Sequence, residues 1–162
     1  MKSLDKIKMV LLDVDGTLTD GGIYVHHDGT QTKRFHAHDG EGIRRSLEAG
    51  IEIGIISAAS LAKDMIESRA KMLGIKYVHA FRSNKREVAE KWAKELGLES
   101  DEIAFVGDDI IDLEVMQWCG VSAAPANAHE SIIPYVDYLL TKAGGNGAVR
   151  EFLDKVLEAK NK

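Results

Sequence analysis

The 162-residue sequence contains a single cysteine and only two prolines. Cys119 has no partner for an internal disulfide, and such sparing use of cysteine fits a reducing compartment. No Pro/Ser-rich linker, internal repeat or low-complexity tract divides the chain, so 1–162 is expected to form one domain with its own core. A basic excess is also missing. Lys and Arg number 21 against 26 Asp and Glu, for a net charge of -5, and no face is rich enough in cations to suggest nucleic-acid binding. The opening "MKSLDKIKMVLL" starts basic, but its apolar run stops at Asp13, too soon for a signal h-region or a membrane span. A cytoplasmic location is the expectation.

What is present is ordinary for a globular protein: 44% hydrophobic and 29% charged residues. Apolar strand-like runs ("IKMVLLD", "IEIGIIS", "KYVHAF", "EIAFVGD", "CGVSAA", "VDYLL") alternate with amphipathic helical patterns. The helices carry stop signals at Gly50, Gly74 and Gly97, and Asn84 with Glu87 has capping-box spacing. Continuous apolar strands separated by helices imply parallel pairing with helices on both faces. The expected fold is therefore a three-layer α/β/α Rossmann-like sandwich. One stretch breaks the rhythm. Residues 22–38 alternate polar and apolar around Asp28-Gly29, the signature of a hairpin too polar for the core and expected to pack on another subunit.

In open parallel sheets ligands gather at the carboxyl ends of the strands. The first strand ends at Asp13-Val14-Asp15-Gly16-Thr17, and side chains two apart on extended backbone point the same way. Two carboxylates so close repel unless a cation lies between them or one keeps its proton. Another strand ends in Ser57, a third leads to Ser83-Asn84-Lys85, and a fourth ends in Gly107-Asp108-Asp109 with Asp112 beyond. Carboxylate oxygens at Asp13 and Asp108 suit Mg²⁺, which takes one or two carboxylates together with phosphate oxygens. Ser57 and Lys85 are placed to hold a phosphate. Asp13 can then attack phosphorus, while Asp15 protonates the leaving oxygen and later deprotonates water.

The segments "DVDGTLTDG", "IIS", "SNK" and "GDDIID" resemble, in order, the four motifs of haloacid-dehalogenase-like (HAD) phosphatases. Longer stretches, among them "DGEGIRRSLEAGIEIGIIS" and "AGGNGAVREFLDKVL", resemble the capless branch that dephosphorylates 3-deoxy-D-manno-octulosonate 8-phosphate in lipopolysaccharide-sugar synthesis. That resemblance implies a Mg²⁺-dependent homotetramer without a cap domain. It implies Asp13 as nucleophile and metal ligand, Asp15 as acid/base lending its backbone carbonyl to the metal, Asp108 as third ligand, and Ser57 and Lys85 on phosphate. Arg44 and Arg69 stand where the family also tends to have Arg, as candidate substrate contacts.

Two departures bear on substrate. Ser57-Ala58-Ala59 replaces the usual Thr-Gly-Arg or Ser-Gly-Arg, and Asn146 replaces an Arg in the glycine-rich C-terminal loop. Arg44, Arg69 and Arg82 remain as cations for an acidic sugar. Another sugar-acid phosphate of the same branch, such as a nonulosonate 9-phosphate, stays open, as does a non-catalytic oligomerisation module. A receiver domain is rejected: its acids are adjacent, and it carries an acceptor Asp on a later strand, where this chain has Ser57. The loop "AGGNGAVR" is expected against a neighbouring subunit's site. Asp109 and Asp112 fit a helix cap and first-turn acid as well as a site. His36 and His38 would share one face of a strand without a forced third metal ligand. Trp92, Trp118 and Cys119 read as core.

Overall fold

The computed structural model describes residues 2–161. Strands β1 (Met9–Leu12), β4 (Glu52–Ser57), β5 (Tyr77–Ala80), β6 (Ile103–Val106), β7 (Val121–Ala124) and β8 (Tyr138–Leu139) form one parallel sheet in the order β5-β4-β1-β6-β7-β8. Helices α1 (Ala37–Glu48), α2 (Lys63–Leu73), α3 (Lys85–Leu96), α4 (Leu113–Trp118) and α5 (Ala148–Lys160) cover its two faces. Alternate residues of β1 explain why its sequence is apolar throughout. Val10 and Leu12 join Ile43, Ile66 and Phe152 from α1, α2 and α5 on one face. Met9 and Leu11 join Trp92 and Val115 from α3 and α4 on the other. Each such fully buried side chain stabilises the fold by about 1.5–3 kcal/mol.

β1 lies between β4 and β6, so the chain leaves it in opposite directions on its two sides, and a crevice opens at its carboxyl end. The helix stops work as expected, with Gly74 and Gly97 at φ 81° and 65°. The expected capping box on α3 is half formed: Asn84 Oδ1 accepts from the amides of Arg86 (2.9 Å) and Glu87 (3.2 Å), without a return bond from Glu87 among the described residues. Trp92 is buried edge-on to Tyr77, with ring centroids 5.5 Å apart, and Trp118 is partly buried beside the same core. Cys119 is buried too, and burial pushes its thiol up to about 12.

The hairpin exists but is shorter than the polar alternation suggests. β2 (Tyr24–Val25) pairs antiparallel with β3 (Gln31–Thr32) around a turn in which Asp28 accepts from the Thr30 amide at 3.0 Å. Helix α1 already begins at Ala37, so His36 and His38 do not share a strand face. His36 is the helix cap, its Nδ1 accepting from the His38 amide at 3.2 Å. Among the described residues no helix is long and apolar enough to cross a membrane.

Candidate active site

Asp13 extends β1 by one more ladder bond, its amide donating to Val106 O at 3.0 Å. The chain then turns through Val14–Leu18 rather than continuing as strand, so Asp15 reaches the crevice by a bend, not by the strand periodicity that brought it to notice. Gly16 makes the bend, with φ +84°, and a Cβ there would also run into the Asp108 carboxylate. No other residue meets both conditions. Thr19 braces the turn, its hydroxyl 3.3 Å from both the Gly16 amide and Val14 O.

Asp13, Asp15, Ser57, Asp108 and Asp109 line a cleft of about 260 Å³ together with Ala58, Ala59 and Ile111. Ser57, buried at the end of β4, accepts from the Ala59 amide at 3.1 Å. A second pocket of about 280 Å³ shares Ala58 and Ile111 and brings in Arg82, Ser83 and Lys85. Lys85, in the first turn of α3, is buried with Nζ 2.6 Å from Asp13 and 2.7 Å from Asp112. Asp112 is wholly buried, and its other oxygen accepts from the amides of Asp108 (3.0 Å) and Asp109 (3.3 Å). It thus shapes the loop that presents Asp108. Asp109 takes the cap role, accepting from the Ile110 amide at 2.6 Å.

So many acids in one place are costly. Burial first, then Asp112, raises the Asp13 carboxyl well above the usual range, against the pull of Lys85. Burial pushes Asp108 up to about 6, with Asp112 and Asp109 adding to it. Burial also works against the Lys85 charge, but Asp13 and Asp112 overcome it and hold the ammonium above the ordinary lysine range. Lys85 therefore bonds Asp13 and Asp112 but not Asp108, whose Oδ1 is buried with no hydrogen-bond partner among the described residues. Oxygens of Asp13, Asp108 and Asp112 lie within 4.8 Å of one another. An unpartnered carboxylate oxygen amid hard oxygen donors is what a divalent cation such as Mg²⁺ would satisfy.

Residues 78–153 match the model of the haloacid dehalogenase-like hydrolases. The whole chain is 41% identical to the Escherichia coli (strain B / BL21-DE3) protein 3-deoxy-D-manno-octulosonate 8-phosphate phosphatase KdsC and spans 85% of its length. The chain belongs to this phosphatase family. Solved structures agree. The Yersinia pestis phosphatase superposes with a TM-score of 0.94 at 35% identity, over 98% of this chain and 85% of that one. The Moraxella catarrhalis phosphatase, solved with magnesium, phosphate and KDO, superposes with a TM-score of 0.93 at 37% identity, over 98% of this chain and 90% of that one.

Other family-guided expectations meet the structure less directly. Arg44 lies exposed on α1, 3.9 Å from Glu41, and is not among the residues lining the cleft. Arg69 sits beneath the hairpin exit, its guanidinium carbon 5.6 Å from the centre of the Phe35 ring, in a neighbouring pocket of about 230 Å³. The glycine-rich loop packs on its own chain. The Gly145 amide donates to Thr17 O at 3.1 Å, and a Cβ on Gly144 would lie 2.5 Å from the Gly16 carbonyl carbon. It buttresses the bend behind Asp13 from within the same subunit. Lys33 was not foreseen at all: it is buried and paired with Asp15. The only hint was its place two residues before Phe35, on the inward side of an alternating stretch.

Proposed function

We propose that this chain hydrolyses 3-deoxy-D-manno-octulosonate 8-phosphate to the free sugar acid and inorganic phosphate. The observation that carries this is the convergence of Asp13, Asp15, Ser57 and Asp108 on one cleft, with Lys85 of the adjoining pocket paired to Asp13, in a member of this family. Lys85 and the Ser57 hydroxyl hold phosphate oxygens and fix the phosphorus in front of Asp13. An Asp13 oxygen attacks in line, and the bond from phosphorus to the sugar oxygen breaks. Asp15 gives that oxygen its proton. Asp15 then takes a proton from water as the water oxygen bonds to phosphorus, the Asp13–phosphorus bond breaks and phosphate leaves. Asp13, Asp108 and the Asp15 carbonyl would hold Mg²⁺, which when bound neutralises phosphate charge and eases repulsion between the acids.

The chain acts as one domain without a cap, in the cytoplasm, as a homo-oligomer and specifically a tetramer. Exposed Ile23, Tyr24 and Val25 on the hairpin are the surface such an assembly would cover. Light scattering gives the mass. The test of function is phosphate release from a panel of sugar phosphates with Mg²⁺, beside an Asp13→Asn control. Preference for the octulosonate ester, abolished in the control, is the expected result. Preference for a nonulosonate 9-phosphate would keep the chemistry and move the substrate. No Mg²⁺-dependent release from any ester would leave only the non-catalytic role.

A further inference from the structure

Lys33 is a buried cation that the phosphoryl chemistry leaves unused. Its side chain is 1% exposed, and its one polar partner among the described residues is the Asp15 carboxylate. Desolvating an ammonium costs several kcal/mol before pairing repays it. A position that merely filled space would do better with Met.

The backbone delivers this ammonium firmly. Three successive residues fasten the hairpin exit to the loop behind the nucleophile. Lys33 pairs with Asp15. Arg34 donates to Gly145 O at 2.9 Å and lies 3.7 Å from Asp20. Phe35 forms a backbone bridge with Thr19. Asp15, by contrast, keeps 35% of its side chain exposed at the cleft and has no other side-chain bond among the described residues. Without Lys33 its torsions would be free to turn the carboxyl to solvent.

We propose that Lys33 is a positioning residue that holds the Asp15 carboxyl over the cleft, where it meets the oxygen leaving the sugar. This rests on the assignment of Asp15 as acid/base. The experiment compares Lys33→Met, Lys33→Arg and Asp15→Asn with the wild type on the preferred sugar phosphate and on 4-nitrophenyl phosphate, whose phenolate departs without needing a proton. Lys33→Met should lower kcat/KM on the sugar phosphate by about 10- to 100-fold, part of the 10²–10⁴ that a placed general acid–base supplies. KM and inhibition by inorganic phosphate should stay within about twofold, since ground-state binding is untouched. For the nitrophenyl ester kcat/KM, which covers departure of the phenolate but not the later attack of water that Asp15 also serves, should fall far less, and Lys33→Arg should recover most of the loss.

The ratio of the two rates does not depend on how much protein is folded, so partial unfolding cannot imitate the effect. If Lys33→Met yields no folded protein, Lys33→Gln is scored by the same ratio. Equal loss of kcat/KM on both esters, or no loss, overturns the proposal while Asp15→Asn still fails on the sugar phosphate. Wild-type turnover by Asp15→Asn removes the assignment of Asp15, and the role of Lys33 with it.

Discussion

At the scale of single residues, the site is a problem in compensating buried charge. Lys85 satisfies Asp13 and Asp112 from one ammonium, and Asp112 in turn fixes the amides that carry Asp108. Removing one member of a buried pair strands the other at a cost of about 3–5 kcal/mol. Asp112→Ala is therefore expected to lower Tm by about 6–20 °C, given about 3–5 kcal/mol and about 2–4 °C per kcal/mol in a chain of this size, and to weaken Mg²⁺ dependence by loosening Asp108. Calorimetry and a Mg²⁺ titration of turnover check this; a Tm within about 1 °C of wild type would mean that Asp112 is replaceable. That Asp13, Asp15 and Asp108 share one cleft was legible because strand ends announce themselves in the sequence. Asp112 and Lys33 were not. A first-turn acid reads the same whether it faces water or folds back on amides, and a lysine in a polar ribbon reads as solvated until the neighbouring loop is placed over it.

At the scale of elements, glycines separate two kinds of demand. Gly97 ends α3 at φ +65° with open space where a Cβ would sit, whereas Gly16 combines φ +84° with the Asp108 carboxylate in that space. Gly97→Ala should cost about 1 kcal/mol through backbone strain alone and leave kcat unchanged. Gly16→Ala should displace Asp108 and abolish Mg²⁺-dependent turnover even where the protein stays folded. Paired thermal melts and rate measurements distinguish them; an active Gly16→Ala would show that the bend tolerates a side chain. Strands and helix stops were legible because burial on both sheet faces and a left-handed terminal residue leave marks on composition. The hairpin was over-read for the same reason. Polar alternation runs through 22–38, but each arm pairs over only two residues before the His36 cap starts α1.

For the whole molecule, crowded acids make stability depend on pH and on the cation together. Asp108 sits at about 6 in the folded chain, and Asp13 is raised as well, mainly by burial. A carboxyl raised on folding binds its proton more tightly in the native state. Its stabilisation is fully present below the unfolded value of 3.8 and is lost as pH rises through the folded value of about 6. The metal-free protein should thus lose Tm between about pH 4 and pH 7 from these groups. Mg²⁺ binds the deprotonated acids, so the Tm it adds must grow over the same interval. At a hundredfold excess over Kd that gain is about 2.7 kcal/mol, or about 5–11 °C at high pH. Asp39 is also raised by burial and His79 is lowered by it, but neither lines the cleft, so both shift the curves with and without Mg²⁺ alike and cancel in their difference. Calorimetry at about pH 5 and pH 7.5, with EDTA and with Mg²⁺, measures that difference. A gain equal at both pH values would mean that Asp13 and Asp108 do not exchange protons for the cation, and the metal would have to be held elsewhere.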